Sequence, residues 1–562
     1  MLTRPQKGPV LKIESNFCSD AHANKPDSRP QETPVAEGHI QKYGPKICSV
    51  GYKDRVNQPR TAPARLDLRR TRRTGGQPRS STGLLPLKAP AGLIVAILGL
   101  AGMVGSFMHS ILIPIQAELP KLLGASRDET AWVITITILT SCVCTPISGR
   151  LGDMFGKRRI ILALLSLLIA GSLLCALSFS IVPMILGRAL QGMGMGVIPI
   201  GIALLRDTVP AARLGSAIAL VSATMGVGAA VGLPVAAFIT SVGDWHLLFV
   251  VATALGAVTF ILCALFLPQS QPGVGGHIDF VGAVGLAAWL TALLLLLAKG
   301  NEWGWISPWT LGCAVGAVFF LTAWSWHQWR KSDPLVDLRV SIQRPVLITN
   351  IASMAMGFAM FVPSIAFPQI LTLPASSGGL GLPLLTAGLI LMPSGLAMLA
   401  MAPLAGRIMD RLGPKPLLVA GSVILIAAYL AALLIPTTGW AIVLVMTVVG
   451  IGIGLGYAAM PSLIMQAVPL TETAAANGLN TLLRALGTAT ASAIVAGVLA
   501  YSATTSGSGD PTSGGFRFAL MLGAAGAVVS VLLAIAVPGA RRSSRRAPRG
   551  GSRKSTARTP SG

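Results

Sequence analysis

The sequence predicts an all-α membrane protein with fourteen spanning helices, in which two equivalent six-helix halves flank two inserted helices. Of its 562 residues 52% are hydrophobic and only 11% are charged, and the mean hydropathy is +0.69. A soluble domain of this size does not have that composition. Apolar runs of spanning length recur along the chain, and one basic, glycine-containing motif occurs once in each half.

Each predicted helix is an apolar stretch of about 18 or more residues, the length that crosses a bilayer. An even number of spans places both ends of the chain on one side. The fourteen stretches are expected near 92–115, 131–149, 159–177, 180–205, 214–240, 245–267, 279–299, 305–326, 345–371, 384–405, 416–435, 439–467, 474–501 and 516–537.

The repeated motif sets the predicted architecture. Residues 149–159 (GRLGDMFGKRR) and 406–416 (GRIMDRLGPKP) share Gly-Arg-x-x-Asp-x-x-Gly followed by basic residues. The copies connect predicted helices 2 to 3 and 10 to 11, so helices 1–6 and 9–14 are equivalent, as in duplicated membrane carriers. The predicted divisions are a basic disordered tail at 1–90, a six-helix bundle at 91–268, two inserted helices with loops at 269–344, a second bundle at 345–538, and a basic disordered tail at 539–562.

Charge predicts the orientation, because basic residues collect in the cytoplasmic connections of membrane proteins. With the N-terminus inside, the outer connections hold only Lys121, Arg127, Lys299 and Arg517. Both tails are therefore expected in the cytoplasm of a cell-membrane protein. The tails carry 17 Lys/Arg against seven acids before residue 91, and eight Lys/Arg with no acid after residue 538. They have no nucleic-acid-binding module, so contact with anionic lipids is expected instead.

The sequence lacks motifs that metal-binding proteins, ATP-driven transporters and membrane enzymes need. Cys142 and Cys144 point to different faces of one helix, and no metal site or disulfide framework is predicted. No phosphate-binding loop for ATP occurs. An enzyme would need an acid-rich or His/Asp motif at an inner loop, which is also lacking. A monomeric transporter of small molecules is expected, without a cofactor and driven by a proton gradient.

Three segments carry a family resemblance: GRLGDMFGKRR, ILGRALQGMGMG at 185–196 and GVGAAVGLPVAAFI at 226–239. They resemble the major facilitator superfamily over about residues 92–538, and the fourteen-helix count resembles its drug:proton antiporter family. The resemblance implies proton-coupled export of drug-like amphipathic or cationic compounds by alternating access. A dedicated exporter of an endogenous product, such as a siderophore, antibiotic or lipid, stays open. The chain departs from the family pattern near Met108, where many relatives have a helix-1 acid.

Gating residues follow from the resemblance. It implies that Asp153 is a latch that holds the two halves together, since a carboxylate at this position can bind a neighbouring helix N-terminus. The alternative is that the basic residues of the motif only fix its topology. The predicted gating set is Gly149, Asp153, Gly156, Lys157, Arg158, Asp410 and Arg411.

Proton coupling is assigned to residues inside or at the ends of helices. Arg188 lies deep in helix 4 with Gln191 one turn on, and the family links this pair to coupling, although a structural arginine that binds carbonyls would fit as well. His109 is a coupling candidate or a packing residue. Asp207 is a proton-pathway acid or the ion-pair partner of Arg206.

The remaining candidates line the cavity or a helix interface. In helix 5 they are Gly228, Gly232 and Pro234, where the G-x-x-x-G spacing permits close helix approach. In helix 13 they are Asn477, Asn480 and Arg484, which form one polar stripe. Three acids are expected to have local roles, Glu472 as a helix cap and Asp279 and Glu302 as solvated loop charges.

Overall fold

The computed structural model describes residues 89–112, 115, 118–269, 277–375, 378–506 and 510–538. This part of the chain contains helices and no β-strand, and fourteen of the helices are long and apolar enough to cross a membrane. The all-α prediction with fourteen spans is therefore confirmed. The predictions for the two tails lie outside the described residues, apart from positions 89 and 90.

The fourteen spanning helices are labelled in chain order. They are α1 (Ala91–Ser110), α2 (Arg127–Phe155), α3 (Lys157–Ala176), α4 (Ile181–Gly194 and Val197–Thr208), α5 (Leu214–Val242), α6 (His246–Phe266), α7 (Phe280–Trp303), α8 (Pro308–Arg330), α9 (Arg344–Thr372), α10 (Leu384–Leu391 and Pro393–Leu412), α11 (Pro414–Leu434), α12 (Gly439–Ala467), α13 (Thr473–Ser506) and α14 (Ser513–Ala536). Helices α1–α6 are called the N half below, and α9–α14 the C half.

The repeated motif is mostly helical, so the prediction that helix 2 ends near residue 149 was wrong. Helix α2 continues to Phe155, and a single residue, Gly156, turns the chain into α3. Gly413 makes the same turn between α10 and α11. Their φ angles are 97° and 88°, a left-handed backbone that favours glycine. The motif stays helical because its residues are packed against other helices. Gly152 and Asp153 are buried, and Gly152 lies against Ile200 of α4.

Two predicted helices differ in detail. Helix α1 ends at Ser110 rather than near residue 115, and α4 is interrupted after Gly194. The interruption lies in a glycine-rich stretch that packs very closely on neighbouring helices. A Cβ atom on Gly192 would lie 2.4 Å from the carbonyl oxygen of Thr137. Tight backbone contact therefore replaces side-chain packing along this part of α4.

The two halves meet along two seams of closely packed helices. In the first, α5 runs beside α10, and a Cβ atom on Gly395 would lie 2.4 Å from the carbonyl oxygen of Gly226. In the second, α2 runs beside α13, and a Cβ atom on Gly149 would lie 2.6 Å from the carbonyl oxygen of Ala474. Glycine at these positions lets the backbones of the two halves approach closely.

The inserted helices form their own pair, with α8 packed on α7 and α7 packed on both α2 and α13. Asp279, expected to be a solvated charge, is instead 3% exposed. Its carboxylate accepts a hydrogen bond from the amide of Gly282 (2.9 Å) and one from Gln328 Nε2 (2.8 Å), and it lies 3.0 Å from His327 Nε2. It is buried because it caps α7 against the end of α8.

The connection after α8 packs on the protein. Leu335 and Val336 are buried, and the amide of Val336 donates to Gln328 Oε1 at 3.3 Å. Arg150 of α2 forms an ion pair with Asp333 at 3.5 Å. The inserted pair is thereby tied to the end of the bundle that carries the repeated motif, called the motif end below.

Asp279→Asn is expected to destabilise the α7–α8 pair. Burial works to raise the pKa of Asp279, but its bonds with His327, Gly282 and Gln328 outweigh burial, and the pKa lies below its ordinary value. The carboxylate therefore stabilises the fold at neutral pH, and this contribution disappears as pH falls through the depressed pKa. We expect a loss of about 1.5–3 kcal/mol at neutral pH, as for hydrogen bonds to a charged group.

Thermal unfolding of the purified protein at neutral and acid pH checks this expectation. Asp244→Asn is the matched control, because the Asp244 side chain is 64% exposed and its hydrogen bonds go to nearby His246. The difference between wild type and the Asp279 variant should shrink on acidification. A difference that is independent of pH would refute the role of the charge.

Candidate functional site

Asp153 joins the two halves at the motif end. It lies in the last turns of α2 and is 8% exposed. Its Oδ2 accepts hydrogen bonds from the backbone amides of Ala474 (3.0 Å) and Ala475 (2.9 Å), at the N-terminus of α13. The first amides of a helix have no partner within the helix and carry partial positive charge, so a carboxylate is well suited to bind them. Asp153, and not Glu472, therefore caps α13.

Asp410 makes the equivalent contact in the opposite direction. It lies near the end of α10, and its Oδ1 accepts from the amide of Gly215 at 3.0 Å. Its Oδ2 accepts from the hydroxyl of Ser216 at 2.6 Å. Both partners lie in the first turn of α5, so each half presents a carboxylate to a helix N-terminus of the other half. The contacts differ in burial, since Asp410 is exposed whereas Asp153 is buried.

The basic residues of the first motif copy bind within the N half. Lys157 forms an ion pair with Asp207 of α4 at 2.6 Å. Arg158 donates to the carbonyl oxygen of Ala264 in α6. These residues brace the start of α3 against its neighbours, and Gly156 makes the turn before them. Arg411, in the second motif copy, lies in the last turn of α10 and is exposed.

Arg206 bridges the two halves, which its sequence position did not indicate. It was expected to pair with Asp207, but that acid binds Lys157 instead. Arg206 Nη1 donates to Thr473 Oγ1 at 2.8 Å and to the carbonyl oxygen of Val468 at 3.4 Å. Successive residues on a helix point to different faces, so Arg206 and Asp207 reach opposite neighbours.

Arg188 is the centre of a buried hydrogen-bond network in the N half. It is 1% exposed and donates to Gln191 Oε1 (2.7 Å) and to the carbonyl oxygens of Met108 (3.1 Å) and Val133 (3.5 Å). Gln191 Nε2 in turn donates to Ser172 Oγ at 2.8 Å. The network joins α1, α2, α3 and α4 without a carboxylate, so the charge of Arg188 is balanced by carbonyl and amide dipoles.

His109 follows the carbonyl that Arg188 binds. Its side chain is exposed although its neighbours Met108 and Ser110 are buried. The nearest link between His109 and the Arg188 network is the backbone of Met108, whose carbonyl oxygen accepts from Arg188 Nη1 at 3.1 Å. Among the described residues no group of three or more His, Cys, Asp or Glu side chains could hold a metal ion.

The glycines of α5 form helix interfaces. A Cβ atom on Gly228 would lie 2.1 Å from the carbonyl oxygen of Met103, and one on Gly232 would lie 2.8 Å from Ser110 Cβ, so both glycines face α1. Pro234 is buried and faces the α10 side, where a Cβ atom on Gly388 would lie 3.3 Å from its nitrogen. Helix α5 is therefore packed tightly against α1 within its half and against α10 across the seam.

The polar stripe of α13 divides into two parts. Asn480 Nδ2 donates to Asn350 Oδ1 (2.9 Å) and Ser353 Oγ (2.7 Å), which fixes α13 to α9. Asn477 Nδ2 donates to the carbonyl oxygen of Thr473. Arg484 differs from both, since its guanidinium carbon lies 4.1 Å above the ring of Tyr457 in α12. The stripe lies at a helix interface at its start and beside an aromatic ring further along.

Comparison with known proteins decides the family. The sequence model of the Major Facilitator Superfamily matches residues 98–492 and also residues 351–560. The chain belongs to the Major Facilitator Superfamily. It is 27% identical over 399 residues to the multidrug resistance protein B homolog of Mycobacterium tuberculosis, covering 69% of this chain and 72% of the relative. It is 28% identical over 387 residues to a protein of Salmonella typhimurium named as multidrug resistance protein MdtD, covering 67% and 80%.

Solved structures agree on the architecture of this superfamily member. The crystal structure of the human organic anion transporter MFSD10 (TETRAN) superposes with a TM-score of 0.57 at 14% identity, covering 80% of this chain and 100% of that one. At this identity the likeness shows the fold alone. Membership of the superfamily makes the chain a multi-pass membrane transporter of small molecules rather than an enzyme.

Sequence reasoning missed three residues of the site. Arg206 and Tyr457 show no periodic pattern that marks them, since their partners are distant in sequence. Asn350 lies alone in an apolar helix, and only its polarity inside a spanning segment could have indicated a role. All three contact α13, which is the helix that Asp153 caps.

Proposed function

We propose that the protein is a proton-driven efflux transporter that exports drug-like amphipathic compounds by alternating access. Its superfamily membership and the multidrug resistance names of its relatives support export of such compounds. In this proposal the motif end and both chain termini face the cytoplasm of the cell membrane. The proton gradient supplies the energy, and no cofactor takes part.

The observation that carries the proposal is the pair of reciprocal contacts at the motif end. Asp153 binds the N-terminus of α13, and Asp410 binds that of α5. Arg206 adds a third bond between the halves at the same end. These contacts close the motif end, so under the proposed orientation this is a state closed to the cytoplasm. Release of the contacts would let the halves part there, which is the second state that alternating access requires.

The residues available for proton coupling form the second part of the proposal. His109 is a titratable side chain of α1 in the N half, and the Arg188–Gln191 network fixes this helix. Asp207 is bound to Lys157, beside the turn that follows Asp153. Protonation of either group would change the balance of charge next to a structural contact.

Reconstituted transport tests this function. We expect proteoliposomes to move a fluorescent amphipathic dye against its gradient when a pH gradient is imposed, and to stop when an uncoupler is added. Proteoliposomes with and without ATP should export the dye at the same rate, because the proton gradient supplies the energy. Transport that requires ATP and ignores the pH gradient would contradict the proposal, and empty vesicles give the passive background.

A further inference from the structure

The charges inside the spanning segments are of one sign. The acids of the fourteen spans lie in their terminal turns and not in their central parts. They are Asp128, Glu129, Asp153, Asp207, Glu302 and Asp410. By contrast, Arg188 and Arg484 lie deep in α4 and α13. A charged side chain far inside a membrane protein usually binds a partner or lines a pathway.

The two arginines differ in how their charge is balanced. Arg188 donates to Met108, Val133 and Gln191. Arg484, which is 6% exposed, donates no hydrogen bond within the described part of the chain. Its contact is the face of the Tyr457 ring, a cation–π interaction that holds the guanidinium plane and leaves its N–H groups unused. None of these nitrogens is completely closed off from solvent.

The location of this arginine is the second observation. Tyr457 packs with Ala223 of α5 and with Met398 and Ala402 of α10, where the two halves meet. On the other side the stem of Arg484 fits against α9, because a Cβ atom on Gly357 would lie only 3.1 Å from Arg484 Cγ. The guanidinium therefore lies beside the seam that must rearrange during alternating access.

We infer that Arg484, held on the ring of Tyr457, binds the anionic group of the transported compound. The inference rests on the proposed export function and narrows its substrate class from amphipathic compounds in general to organic anions such as carboxylates and sulfonates. A planar guanidinium with unused N–H groups can bind such a group with two parallel hydrogen bonds. Tyr457, which is partly exposed, supplies apolar surface for the rest of the molecule. A cationic compound would be repelled by Arg484 and would find no acid in the central parts of the spans.

Two probes with the same aromatic body and opposite charge test the inference. They are 9-anthracenecarboxylate and 9-anthracenemethylammonium, whose fluorescence reports binding to the full chain in nanodiscs of zwitterionic lipid. We expect the carboxylate to bind more tightly. Arg484→Gln should weaken it about tenfold or more, the effect of losing a charge-assisted hydrogen bond, without weakening the ammonium probe. Arg484→Lys should retain part of the affinity, and the exposed Arg517→Gln serves as the charge-matched control.

Substitutions of Tyr457 test the same site even if the Arg484 variants do not fold. Tyr457→Leu should weaken carboxylate binding several-fold because the guanidinium loses its support, and Tyr457→Phe, which keeps an aromatic ring under the guanidinium, should weaken it less. Failure of wild type to bind the carboxylate, or tighter binding of the ammonium, overturns the inference. So does equal binding in wild type and a folded Arg484→Gln variant. The same binding measurement is repeated in nanodiscs that contain anionic lipid. If anionic lipid displaces the carboxylate probe from the wild type but not from the Arg484→Gln variant, the site binds a lipid headgroup, and the inference is also overturned. Binding needs no gradient, so gradient-driven export can survive while this inference fails.

Discussion

Asp153→Asn is expected to leave the protein folded and inserted but to slow transport by about 30-fold or more. The carboxylate accepts charge-assisted hydrogen bonds from the amides of Ala474 and Ala475, each worth about 1.5–3 kcal/mol, against about 0.5–1.5 kcal/mol for neutral bonds. Losing about 2 kcal/mol changes the balance between the two gate states by about 30-fold. The measurement is dye export by proteoliposomes that contain equal amounts of folded protein.

Asp244→Asn provides the control for this substitution. It makes the same chemical change at an exposed aspartate whose hydrogen bonds remain within the turn before α6. Export by this variant should stay close to that of wild type. Unimpaired export by Asp153→Asn at normal expression would remove Asp153 from the transport mechanism.

Arg188→Lys is expected to impair gradient-driven export more than it impairs ligand binding. Lysine keeps the charge but lacks the planar fork that reaches Met108 of α1, Val133 of α2 and Gln191 at once. Loss of one or two such bonds should cost about 1.5–3 kcal/mol each, so the melting temperature should also fall. In our proposal the coupling defect follows because α1, which carries His109, is no longer fixed.

Three readings on one purified Arg188→Lys sample separate a coupling role from a packing role. They are dye affinity without a gradient, thermal stability, and export per folded molecule. We expect affinity to stay within a few-fold of wild type while export falls towards the passive background. Normal export per folded molecule together with a lower melting temperature would make Arg188 a structural residue. Asp207 and His109 would then be the remaining candidates for coupling.

Hydropathy and the motif repeat predicted the fold well because both reflect strong local constraints. A bilayer requires long apolar helices, so their number and approximate limits can be read from the sequence. The turn between α2 and α3 was misplaced, because glycine, arginine and aspartate also occur in loops. Only packing of α2 against α13 shows why these residues remain helical to Phe155.

The sequence predicted those parts of the candidate site in which a residue makes a common type of contact, such as an aspartate that binds a helix N-terminus. Asp153 lies where the motif indicated, and its bonds to α13 are of the predicted kind. Pairings between distant segments were not predictable. Asp207 binds Lys157 rather than adjacent Arg206, and Asp279 is buried by a helix 48 residues further along. The Arg484–Tyr457 contact likewise depends on the packing of α12 against α13.

The central claim, that Asp153 and Asp410 hold the halves together at the motif end, is tested most directly by an intramolecular distance. Spin labels on cysteines that replace the exposed residues Arg159 and Pro416, in a chain without native cysteines, report the separation of the two halves by pulsed electron resonance. The Asp153→Asn/Asp410→Asn double variant is predicted to shift the distances towards longer values at the motif end. An unchanged distance distribution in the folded double variant would contradict the account.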